Sequence, residues 1–132
     1  MSSEVFWLYE VAVRPGKADA FRDLMADLVH SARAECGTLS YQWSIDADET
    51  VAHIYERYAD SPSTLAHLAA FRERSAERFL AAVDPTRLVL YGPPDEEIKQ
   101  ALAALRPLIM SPLAGFARHD VQLASAERGD AR

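Results

Sequence analysis

The sequence predicts a single α+β domain on the ferredoxin-like βαββαβ plan. This is an antiparallel four-stranded sheet with both helices on one face, here followed by a C-terminal helical extension. Three observations predict it. Strand and helix patterns follow one another as strand, helix, strand, strand, helix, strand within residues 1–94. The two middle strand patterns are joined by a short polar turn, as in a hairpin. The length of 132 residues suits one core and not two.

Each element has a local reason. Val5 to Val13 (VFWLYEVAV) is β-branched and aromatic, and Arg14-Pro15-Gly16 breaks it. Ala18, Phe21, Leu24, Met25, Leu28, Val29 and Ala32 repeat at the spacing of an amphipathic helix. Gly37 is its expected stop, taken in the left-handed conformation. Thr38 to Ile45 alternates with period two, and Val51 to Tyr58 completes the hairpin across Asp46-Ala47-Asp48-Glu49. Ser61 as N-cap and Pro62 at the first helical position start a second helix, expected to run to Val83 on a stripe of Leu65, Leu68, Ala69, Ala76, Phe79, Leu80 and Val83. Asp84-Pro85 ends it, and Arg87 to Tyr91 is the fourth strand. Residues 95–124 hold a helix (Asp95 to Leu105) and a short fifth strand or arm (Phe116 to Leu123), docking on the same domain or on a partner subunit. Residues 125–132 read as a disordered tail.

Composition excludes several function classes. The net charge is −6 and the arginines are dispersed, so nucleic acid is not an expected partner. No apolar run approaches the ~20 residues that span a bilayer, so no membrane is expected. The N-terminus lacks the features of a secretion signal, and Cys36 is the single cysteine, so a reducing, cytoplasmic setting is the expectation. Cys36 reads as a buried or inert thiol, because Glu35 beside it disfavours a thiolate. P-loop, GxGxxG, GxSxG and HExxH motifs are absent from the sequence.

The first strand is apolar on both faces, with Val5, Trp7, Tyr9, Val11 and Val13 on one and Phe6, Leu8 and Ala12 on the other. Helices on one face leave the other uncovered. A homodimer through the sheet face resolves this; the alternative is that the C-terminal extension covers the face within one chain.

The run RPGKADAFRDLM…ECGTLSYQW…YERYADSPSTLAHL resembles the antibiotic biosynthesis monooxygenase (ABM) family over roughly residues 5–91. The marks are Pro15-Gly16, Glu35-x-Gly37, Ser40-Tyr41, Glu56-x-Tyr58, and His67 with its neighbouring leucine. Tyr58 stands where the family often has tryptophan, and Ala70-Phe71 where many members carry a second histidine before an aromatic. The resemblance implies a dimeric α/β barrel with a pocket between sheet and helices. It implies oxygenation of small aromatic substrates without metal or flavin, quinol oxidation, or haem degradation. The haem-degrading pattern is not met: Tyr9, His67 and Glu77 stand where its asparagine, tryptophan and axial histidine would be.

The candidate site follows from both readings. His67 is a seam histidine on the residues alone. With the resemblance it becomes a general base toward a phenolic substrate. Trp7, Tyr9, Tyr41, Trp43 and Phe71 are core aromatics or the walls of a substrate pocket. Glu56 is the polar partner of the site, and an arginine ion pair, within the chain or across a dimer, is its expected compensation. His30 and His53 are expected at the surface or rim, and His119 falls in the extension without an assigned place. His53, Glu56 and His67 converge only in a favourable fold, and no metal is expected. The expected function is an ABM-type monooxygenase without cofactor, acting with O₂ on a small aromatic ligand such as a phenol, quinol or anthrone. The alternatives are a non-catalytic small-ligand-binding protein, or an isomerase or lyase on the same scaffold.

Overall fold

The computed structural model describes residues 3–92 and 94–118. The elements are β1 (Val5–Val13), α1 (Ala18–Arg33), β2 (Thr38–Ile45), β3 (Val51–Tyr58), α2 (Ser61–Arg74), α3 (Ala76–Ala82), β4 (Val83–Tyr91), α4 (Glu96–Leu102) and β5 (Leu108–Met110), with a 3₁₀ turn (Ala103–Leu105) after α4.

The sheet has five strands and is mixed, in the order β2-β3-β1-β4-β5. The first four pair antiparallel, and β5 adds a parallel edge opposite Val89 to Tyr91. This corrects the expected four-stranded antiparallel sheet. Leu108-Ile109-Met110 is too short to show a period, and its pairing depends on the free edge of β4. The described part of the expected Phe116 to Leu123 strand is irregular, and the rest, with His119 and residues 125–132, lies outside the described residues.

The second helix is also corrected. Asp60, not Ser61, is the cap: its Oδ1 accepts from the Ser63 amide at 2.9 Å. The helix breaks at Ser75, so a single stripe through residues 61–83 loses phase. Thr64 and His67 are buried in α2, while Leu80 is 47% exposed. β4 begins directly after Ala82, so Asp84 and Pro85 lie in a strand, beside a bulge at Glu10/Val11.

The core falls into two clusters. Phe21, Leu24 and Leu28 of α1 and Phe79 and Ala82 of α3 pack on Val11, Val13 and Ile54. Ile98 and Leu102 of α4 pack on Val5, Trp7, Tyr58, Leu88 and Leu90. Tyr9 touches both clusters. α4 therefore joins the helical layer and does not cover the opposite face. That face carries half-buried Phe6, Leu8 and Tyr55, with Arg57 4.4 Å above the Phe6 ring and Phe6 stacked on Tyr91. Among the described residues, no helix is long and apolar enough to cross a membrane.

Gly37 has a different role from the expected one. It does not take a positive φ. Instead, a Cβ there would meet Ser63 Oγ at 1.9 Å and Ser63 Cβ at 2.4 Å. The α1–β2 turn thus lies against the first turn of α2, and Ala59 N donates to Gly37 O at 2.9 Å. Gly37→Ala should cost about 1–3 kcal/mol through overpacking. Thermal denaturation should show part of that loss restored by Ser63→Gly in the same chain.

Candidate active site

The site lies where the two core clusters meet. Strand register puts Trp7 of β1 and Tyr41 of β2 on either side of Glu56 of β3. Period two puts Tyr58 on the same face as Glu56. The Tyr58 hydroxyl donates to Glu56 Oε1 at 2.5 Å. Above them, α2 lowers His67 between two carboxylates. His67 Nδ1 is 2.8 Å from Glu35 Oε1, which also accepts from Thr38 Oγ1 at 2.7 Å. His67 Nε2 is 3.5 Å from Glu56 Oε1. A carboxylate can only accept, so the Glu35 contact places a proton on Nδ1 and leaves Nε2 of the neutral ring as an acceptor. The rings of Tyr41 and Tyr58 flank the imidazole, with centroids at 5.3 and 5.1 Å.

Burial governs the electrostatics. Glu56 is buried, and loss of water pushes its carboxyl above the usual carboxylate range; the nearby His67 and hydrogen bonds from Tyr58 and Trp7 offset part of this. Burial, then the Glu56 charge, pushes the Tyr9 phenol up to about 12. The same two causes raise Tyr41 and Tyr58. These phenols stay protonated and can donate, whereas Glu56 is a carboxyl poised to hold a proton.

A cavity of about 70 Å³ opens beside this network. Trp7, Tyr9, Tyr41, Trp43, Phe71, Glu56 and His67 all reach its wall, and Leu102 and Leu105 of the C-terminal segment close it. The Trp43 indole lies near Tyr41, but its buried Nε1 makes no hydrogen bond with a described residue. On the other side of His67 and Phe71 is an open groove of about 450 Å³ between α1 and α2, lined also by Ser31, Cys36 and Arg74. Cys36 is exposed there, so of the two expectations for it, buried or inert, burial does not hold.

Other expectations fail. Glu56 has no arginine partner among the described residues; Arg57 points to the opposite face and pairs with Glu4 at 2.6 Å. His53 also faces away and pairs with Glu10 at 3.0 Å, so it cannot converge with Glu56 and His67. His30 is exposed, as expected of a surface histidine, and Glu77 is exposed as well. Among the described residues, no cluster of His, Cys, Asp or Glu has the arrangement to hold a metal ion. Sequence reasoning named Glu35 and Tyr58 as marks of the family resemblance but gave neither a place in the site. Tyr58 was readable from its i, i+2 spacing to Glu56. Glu35 meets His67 only through the tertiary packing of the α1–β2 turn on α2.

The structure is thus an α+β protein with a ferredoxin-like sheet and a carboxylate-held histidine at an aromatic cavity. The chain belongs to the antibiotic biosynthesis monooxygenase family, whose model matches residues 5–85. Among solved structures it is similar to MupZ from Pseudomonas fluorescens, at 24% identity and TM-score 0.80, covering 92% of this chain and 94% of that one. It is also similar to SnoaB from Streptomyces nogalater, described as a cofactor-independent oxygenase, at 15% identity and TM-score 0.60, covering 71% and 96%. Rv0793 from Mycobacterium tuberculosis is similar at 25% identity and TM-score 0.55, covering 71% and 98%. None of the curated proteins matches.

The raised carboxyl has a signed consequence. Glu56 favours its neutral form in the folded state, so its contribution to stability is full below the ordinary carboxyl range of ~4.3 and is lost as pH rises through the elevated folded value. Melting temperatures between pH 5 and 8 should fall more steeply for the native chain than for Glu56→Gln. Parallel curves would place the pH dependence elsewhere.

Proposed function

We propose that the protein is a cofactor-independent monooxygenase of small, electron-rich aromatic compounds, with His67 as the general base. The observation that carries this reading is the imidazole held by Glu35 at Nδ1, with Nε2 turned toward Glu56 at 3.5 Å beside the wall of the aromatic cavity. Nε2 takes a proton from a phenol, quinol or anthrone carbon acid. The resulting anion donates electrons to O₂ and forms a hydroperoxide. Loss of water leaves one oxygen atom on the product as a carbonyl. Glu35 stabilises the imidazolium, and Glu56 and the phenols return protons to the departing oxygen. Trp7, Tyr9, Tyr41, Trp43 and Phe71 hold the ring and exclude water.

A second reading has its own support. At about 70 Å³ the cavity is closed by large side chains, and benzene needs roughly 150 Å³ in a protein core. That favours a protein holding a small apolar ligand without turnover. The two are separated by O₂ consumption with a panel of quinols and anthrones. Turnover is expected, and His67→Gln should lower it by about 10²–10⁴-fold, the usual worth of a positioned base. A rate unchanged by His67→Gln would remove the base from the proposal, and no O₂ uptake with any member would favour the binding protein.

The same reading pairs two copies through the open sheet face. Its support is the half-buried Phe6, Leu8 and Tyr91, together with Leu108 and Met110, which are 50% and 44% exposed. Sedimentation should give twice the 14.6 kDa chain mass, and Leu8→Lys should give the single mass.

A further inference from the structure

A second cleft, of about 290 Å³, lies against the outer side of the aromatic cavity. Tyr9, Leu88 and Leu105 border both spaces. The rest of the cleft is formed by Pro85, Thr86 and Arg87 of β4 and by Ala104 and Arg106 beyond α4. Its lining contains two arginines and no acid. Neither guanidinium makes a hydrogen bond or ion pair with a described residue. Arg87 stands opposite Glu10 across β1 and β4 and its charge helps to lower that carboxyl, whose hydrogen bonds come from His53 at 3.0 Å and the Thr86 hydroxyl at 3.1 Å; Arg106 has no such carboxylate opposite it among the described residues.

Arg106 occupies this position at a conformational cost. It caps the 3₁₀ turn in the left-handed conformation, with φ 50 and ψ 58. Glycine adopts that conformation without a Cβ penalty and is the usual residue there. An arginine in its place keeps a cation at the mouth of the cleft.

We infer that this cleft binds the carboxylate of the substrate, and that the substrate is therefore an aromatic acid whose ring passes Leu105 to reach His67. The inference rests on the aromatic cavity being the substrate site. It also addresses that cavity's small volume. Leu105 is a half-buried side chain on a three-residue turn, and its displacement joins the two spaces into one of the size that holds small-molecule ligands. Arg87 and Arg106 then fix the acid outside while Trp7, Tyr41 and Trp43 surround the ring inside. The C-terminal segment acquires a purpose: it supplies both the movable wall and one of the two cations.

The test is calorimetric titration of the whole chain with 6-hydroxy-2-naphthoate and with its neutral methyl ester. The acid should bind at least ~10-fold more tightly, the worth of one or two hydrogen bonds to a charged group. The preference should shrink in Arg106→Gln and vanish in Arg87→Gln/Arg106→Gln, with the ester's affinity unchanged. Leu105→Ala should tighten both compounds. Equal binding of acid and ester, or a preference that survives the double substitution, would overturn the carboxylate site while leaving the aromatic cavity intact. An affinity unmoved by Leu105→Ala would overturn the movable wall. Failure of both compounds to bind would overturn this inference together with the aromatic-substrate reading.

Discussion

Glu56 is a carboxyl group placed where water cannot reach it, on an inner strand of the sheet. Removing a carboxylate from water is costly unless hydrogen bonds and a counter-charge replace the solvent. The surrounding structure supplies those replacements. Tyr58 donates from the next residue on the same face, Trp7 comes from the neighbouring strand, and His67 descends from α2. His67 is itself a buried polar group, so it requires Glu35, which in turn is held by Thr38. The chain of contacts fixes the tilt of α2 over the sheet. Gly37 permits it, because only a residue without a side chain lets the first turn of α2 approach the α1–β2 turn so closely.

Much of this architecture is legible in the sequence, because it follows from local periodicity. The alternation in Thr38–Ile45 gives both the strand and the shared face of Tyr41 and Trp43. The 3.6-residue pattern of α1 gives its buried line of Phe21, Leu24, Leu28 and Ala32. The candidate cavity residues also follow from face and spacing once the family's layout is used as a guide. Less legible is whatever depends on a single polar contact. Asp60 takes the cap from Ser61 because its carboxylate reaches the Ser63 amide, a choice two adjacent cap-forming residues leave open. α2 buries Thr64 and His67 in preference to a purely apolar line, since Thr64 Oγ1 donates to Asp60 O and His67 has its two acids. Partners distant in sequence, such as Glu35 and His67, are set by helix packing and leave no periodic trace.

The C-terminal segment changes the character of the site. The family match ends at residue 85, before α4 begins. Yet Leu102 and Leu105 form part of the cavity wall. The catalytic candidates belong to the common scaffold, and the closure belongs to the extension. The cavity-closing residues Leu102 and Leu105 therefore lie outside the matched scaffold that holds His67, Glu35 and Glu56.

The division of the core into two clusters also bears on how the molecule breathes. The first cluster is built entirely from residues 11–83, so it is complete without α4. The second depends on Ile98 and Leu102, two side chains on a seven-residue helix. A helix that short has little stability of its own and holds by those contacts. A helix held by so few buried contacts is expected to open at a lower free-energy cost than global unfolding. Amide exchange in α4 would then record the opening of the cavity directly, while α1 and the inner strands remain protected.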